Sequence, residues 1–117
     1  MEEKKADNKV LENKARIKEI DSKIDSEKNR GKDLDDMEEI VNSLNKNIDK
    51  CLELLGKSVK GNNYEKRLDA YQTENRINYK KNISYIEAQR DLIKTRISRL
   101  NKEKENLVEE NKKKEEE

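Results

Sequence analysis

The chain has 117 residues, 47% of them charged and 30% hydrophobic, with no histidine, proline, tryptophan or phenylalanine. A thick globular core, which draws on roughly 45–50% apolar residues, is excluded. The 28 basic and 27 acidic residues nearly cancel, which argues against the high net charge of a disordered chain and the basic excess of a nucleic-acid or membrane-surface protein.

In chain order, the N-terminus MEEKKADNKV has no apolar segment like that of a cleavable signal peptide. No apolar run reaches the roughly 18–20 residues that span a bilayer. A cytoplasmic protein without membrane insertion is therefore expected, and any export would follow a signal-peptide-independent route. The first predicted helix, about residues 6–56, carries Val10, Ile17, Ile20, Ile24, Leu34, Val41, Ile48, Leu52, Leu55 and Val59, mostly in steps of three and four. Gly31, Glu38 and Asn45 fill seam positions where an apolar residue is missing. The turn is expected at about 57–62, the only stretch that combines Gly, Ser and Asn. Gly56 suits the end of the first helix there, and Asn62 or Asn63 suits the cap of the second. The second predicted helix, about residues 63–113, repeats the seam with Leu68, Tyr79, Ile83, Ile86, Ile93, Ile97, Leu100 and Leu107, and with Arg90 and Lys104 in polar positions.

These heptads predict an all-α fold, a long antiparallel two-helix hairpin packed like a coiled coil over residues 1–117. A turn near residue 60 places residues whose numbers sum to about 119 side by side. The acidic run Asp33–Glu39 would then lie beside Arg76, Lys80 and Lys81. Lys9 would meet Glu110, Lys14 Glu105, and Lys4 and Lys5 the final glutamates. On the seam, Ile24 would meet Ile97 and Ile20 would meet Leu100.

The heptad also exposes apolar residues that a two-helix seam has no room for. Met37, Leu44 and Cys51 fall at g, Ile40 and Leu54 at c, and Tyr71, Tyr85 and Leu92 at c of the second helix. The g edges of an antiparallel pair share one side, so these eight form a candidate partner-binding strip. The alternative for Met37 and Leu44 is a seam that drifts about 20° per heptad. Nothing supports catalysis, a cofactor or a metal: histidine and glycine-rich phosphate loops are missing, and Cys51 is a single cysteine. No enzyme and no nucleic-acid partner are expected.

Val59-Lys60-Gly61, then Tyr64, Arg67, Leu68 and Tyr71, followed by Tyr79, Ile83, Ile86, Ile93, Ile97 and Leu100, resembles the small helical partner proteins of LXG toxins in bacterial type VII secretion, relatives of the WxG-type hairpins. The turn motif of that group would fall on Val59, Gly61 and Tyr64. Val59 departs from it, standing where the family prefers tryptophan. No Tyr-x-x-x-Asp/Glu export signal follows, since Tyr64, Tyr79 and Tyr85 have Leu68, Ile83 and Gln89 four residues on. The resemblance implies a targeting chaperone that binds the helical N-terminal domain of a toxin, alongside a second small helical partner, and relies on its partner for a complete signal. A structural or stalk-like coiled coil regulating a secretion or other cytoplasmic complex is the alternative reading.

Overall fold

With no proline to remove a backbone donor, each half of the chain forms one unbroken helix. The computed structural model describes residues 2–116, with side chains from residue 7 onward. Helix α1 is Glu2–Ser58 and helix α2 is Asn62–Glu116, an all-α antiparallel hairpin joined by residues 59–61. Gly56 lies inside α1 rather than ending it, and a Cβ there would meet the Leu68 methyl at an ordinary 3.9 Å. The Val59 N–H closes the last turn on the Leu55 carbonyl at 2.9 Å. Gly61, not an asparagine, takes the cap position of α2, because its carbonyl accepts the Glu65 N–H at 3.0 Å. Its φ of 141° lies in a region that side-chain-bearing residues rarely adopt, which explains glycine at this site.

The chain divides into two compact units. The end unit comprises residues 1–31 and 91–117, and the turn unit residues 32–90. In the end unit the buried positions are Asn13, Ile20, Ile24, Glu27, Ile93 and Asn111. Ile20 has no exposed surface at all. Asn13 donates from its side-chain amide to the Asn111 oxygen at 2.9 Å, and Asn111 in turn donates to the Val10 carbonyl at 3.3 Å. A buried amide pair of this kind is satisfied in only one pairing, so it fixes register. In the turn unit Leu34, Leu52 and Ile86 are buried, and Arg90 is half-buried against Asp35 (2.7 Å) and Glu38.

The expected register needs correcting. The Asn13–Asn111 bond corresponds to a residue sum of 124, and with that sum almost every non-exposed position of α1 stands level with one of α2. Ile24 is then level with Leu100 rather than Ile97, and Ile20 with Lys104 rather than Leu100. A sum near 119 describes only one edge of the pair, where Arg16 meets Glu103 at 2.9 Å, while on the other edge Lys14 meets Glu115 at 3.9 Å, a sum of 129. Helical side chains lean toward their own N-terminus, covering a spot about one position back from their Cα. In an antiparallel pair both leans raise the sum of the residues that meet above the value set by the turn.

The charge pairs shift accordingly. The acidic run is engaged not by Arg76, Lys80 or Lys81 but by Arg90. Lys9 pairs with Glu12 of its own helix at 3.9 Å instead of Glu110, and Lys14 takes Glu115 instead of Glu105. The side chains of Lys4 and Lys5 lie outside the described residues.

Candidate functional site

The site begins from what the seam leaves uncovered. Leu34, Val41 and Leu52 of α1 are buried or half-buried, whereas the intervening Met37 and Leu44 are 43% and 54% exposed. Seam drift therefore does not account for these two: they stand beside the seam, one position before Glu38 and Asn45. Ile40, Cys51, Tyr71 and Tyr85 are exposed as well.

Leu54 is exposed and shares heptad position c with Ile40, on the outer side of the g edge. One residue of the expected strip, Leu92, stands apart. Leu92 is exposed in the end unit and is no part of the turn-unit face.

Ile48 and Leu55, expected in the seam, are exposed and extend the α1 row instead. The cause lies in α2. Its non-exposed positions Leu68, Gln72, Asn75, Tyr79, Ile83 and Ile86 are spaced 4, 3, 4, 4 and 3, so one extra four-residue step interrupts the heptad between Asn75 and Ile86. Opposite that step α2 offers Asn75 and Tyr79. Their polar atoms are spent on Asn45 (3.0 Å), Asp49 (3.1 Å) and, through the tyrosine hydroxyl, Asn42 (2.7 Å). Ile48 has no apolar counterpart at its level. Ile77, which the periodicity does not single out, is exposed on the back of α2.

Read by heptad position, the g edges carry the decisive contrast. In the end unit they are Lys9, Arg16, Lys23 and Arg30 on α1 and Arg96, Glu103 and Glu110 on α2, every one charged. In the turn unit they are Met37, Leu44, Cys51 and Ser58 on α1 and Asn82 and Gln89 on α2, joined by Asn78 and Tyr71, which the extra step moves onto this edge (Tyr71 from the expected c); none is charged. In the end unit the edge is tied up by ion pairs: Lys9–Glu12, Arg16–Glu19, Lys23–Glu19 and Arg16–Glu103. Hydrogen bonds from Glu103 first and Glu19 second hold the Arg16 guanidinium still further above its ordinary value, and the Arg16 bond lowers the Glu19 carboxyl below the usual range. In the turn unit the same g-to-c spacing gives Met37–Ile40 and Cys51–Leu54 in place of Lys9–Glu12 and Arg16–Glu19. Every charged residue of α1 between Asp35 and Lys57 falls at a, b, e or f, so the flank carrying Met37, Ile40, Leu44, Ile48, Cys51 and Leu55 is free of charge.

Comparison with family models, curated proteins and solved structures finds no match.

The turn motif adjoins this flank. Val59, Tyr64 and Tyr71, with Leu55, Arg67 and Leu68, line a groove of about 280 Å³ at the closed end of the hairpin. Gly61 supplies the backbone conformation that starts α2 beside it. Among the described residues there is no cluster of three or more His, Cys, Asp or Glu placed to hold a metal, and no helix long and apolar enough to cross a membrane.

Proposed function

We infer that this chain is a non-enzymatic protein-binding partner, and that its turn unit packs helix-on-helix against a helical domain of a larger protein. The observation that carries the reading is the switch of the g edges from wholly charged to wholly uncharged. In a chain with 47% charged residues, a two-sided edge without charge, exposing Met37, Leu44 and Tyr71, costs solubility unless something covers it. The resemblance carried by Val59, Gly61, Tyr64 and the second-helix isoleucines supports a more specific partner, the helical N-terminal domain of a secreted LXG-type toxin of type VII secretion. In that role the chain is a targeting chaperone that keeps the toxin's apolar helices soluble before export.

The test is co-expression with an LXG-type helical domain and affinity capture. Wild-type chain should be retained, and Leu44→Asp should reduce retention by about a hundredfold, since burying an unpaired carboxylate in an apolar interface costs several kcal/mol. Circular dichroism of Leu44→Asp alone should match wild type. Equal capture of both would reject the g-edge surface. A complex lost instead on Arg16→Glu would point to the stalk-like reading, in which the free ends do the binding.

A further inference from the structure

One groove of the end unit gathers charge of a single sign. Lys23 and Arg30 of α1 and Arg96 and Arg99 of α2 line a groove of about 430 Å³, in which Glu27 is the one acidic side chain. Four cations thus face one carboxylate, in a chain whose net charge is only +1. All four cations are exposed, and Arg99 enters no ion pair among the described residues. The nearest further acids of this unit are engaged: Arg16 holds Glu19 and Glu103, each at 2.9 Å, and Lys23 shares Glu19 at 3.8 Å. Asp33, a residue of the turn unit, does not line the groove. A neighbouring groove, lined by Lys104, Glu105, Glu109 and Lys112, balances its charges. Arg76, Lys80 and Lys81 also cluster, but on one helix.

Glu27 ties the two walls together. It takes a seam position between Ile20 and Leu34, is 8% exposed, accepts from Arg30 at 3.3 Å and lies 3.7 Å from Arg96. One guanidinium of each helix is thereby held against the same carboxylate, whose Oε2 has no hydrogen-bond partner. A carboxylate buried in a seam costs desolvation that an apolar residue avoids; here it fixes the floor of a basic groove. With the level sum of 124, the cations follow one another along the pair as Lys23, Arg99, Arg96 and Arg30, over about 10 Å at a rise of roughly 1.5 Å per residue. They form two couples, Lys23 with Arg99 and Arg96 with Arg30, each joining the helices. The couples are centred roughly 7–8 Å apart along the axis. Side chains at i and i+4 of a helix are separated by about 6 Å of rise, a match within the reach of arginine and lysine.

We propose that this groove binds a helix of a partner protein through two carboxylates at i and i+4, one set against Lys23 and Arg99 and the other against Arg96 and Arg30. Guanidiniums present paired N–H donors that suit carboxylates, and such charge-assisted bonds are the stronger kind. A nucleic-acid backbone offers the same sign of charge, but its phosphates continue along the strand. Here the cations stop, because the row meets Glu19 and Glu103 one turn beyond Lys23 and Arg99. A ligand with two negative charges and then none fits a row of this length. The site goes beyond the binding role inferred above, since it is built from other residues in the other unit.

The experiment titrates the full chain at low salt with a synthetic alanine–glutamine helix that carries one glutamate pair at i and i+4. The side-chain N–H signals of Arg30, Arg96 and Arg99 are followed by NMR. They should shift with half-saturation at about a millimolar, and the shifts should fade at high salt, as exposed charge pairs do. Arg99→Glu should weaken binding about three- to tenfold and leave the circular dichroism unchanged, because Arg99 lies outside the seam. A peptide of the same composition with its glutamates at i and i+2, on opposite faces, should bind several-fold more weakly; equal binding overturns the paired geometry. No shift at tenfold higher peptide, or binding indifferent to Arg99→Glu, overturns the site. Tighter saturation of the same signals by inorganic phosphate or by a single-stranded oligonucleotide overturns the carboxylate occupant. Leu44→Asp should leave the titration unchanged, so that failure of this site and failure of the turn-unit flank are read separately.

Discussion

The end unit and the turn unit share two helices and nearly the same seam spacing, yet they spend their surfaces differently. Of the twelve ion pairs among the described residues, nine lie in the end unit. Of the thirteen exposed large apolar side chains, ten lie in the turn unit. Exposed ion pairs contribute about 0–1 kcal/mol each, so the end unit owes its packing to the seam and uses charge to hold water and register. The turn unit has Asn42, Asn45, Asn75 and Tyr79 hydrogen-bonded across its seam and keeps much apolar surface outside. Seam burial therefore sets stability, and the residues one position away from the seam set what the protein can touch.

Breaking the seam of the end unit should have the largest effect. Ile20→Ala removes a side chain with no exposed surface and should cost about 2–4 kcal/mol, read as a lower urea midpoint. Next comes the turn. Gly61→Ala places a Cβ at a φ of 141° and should cost about 1–2 kcal/mol; an unchanged melting temperature would mean that the junction relaxes to an ordinary conformation. Glu27 tests the opposite sign. It is 8% exposed and paired with Arg30 at 3.3 Å and Arg96 at 3.7 Å, and one of its oxygens has no hydrogen-bond partner. Glu27→Leu should stabilise by about 1 kcal/mol, because an apolar residue avoids the desolvation and both arginines remain in water. A fall in stability would show that the ion pairs outweigh it.

The comparison itself is sharpened by writing the end unit's edge into the turn unit. The triple variant Met37→Lys, Ile40→Glu, Leu44→Arg should stay within about 0.5 kcal/mol of wild type, since none of the three sits in the seam, while losing partner capture. The smallest effect is on pH. The folded Glu19 carboxyl lies below its ordinary value because Arg16 hydrogen-bonds it. Its contribution is therefore present above the unfolded carboxylate value and is lost as pH falls through the lowered folded one. The melting temperature of wild type should drop slightly more than that of Glu19→Gln between pH 6 and pH 3.

The hairpin was legible because a missing proline, a three–four spacing and one Gly-Asn-rich interval at mid-chain all agree. Register was less legible. Equidistance from the turn describes Cα levels, whereas the pairs that touch depend on where side chains lean, and Asn13 and Asn111 were passed over although each sits on the seam spacing, because asparagine carries no apolar signal. Ile48 and Leu55 look like seam residues when α1 is read alone. Their exposure comes from an extra step in α2, visible only when Gln72 and Asn75 are accepted as seam positions. The switch from charged to uncharged g positions is present in the sequence, and emerges once the seam is placed to the residue.

That extra step also shapes how a visiting segment would lie. From Leu68 to Ile86 the inward positions advance five turns in eighteen residues, the natural 3.6-residue winding of an uncoiled helix. The α2 edge of Tyr71, Asn78, Asn82 and Gln89 consequently follows a straight line where a strict seven-residue repeat would spiral, and a guest helix can keep contact along it without being bent.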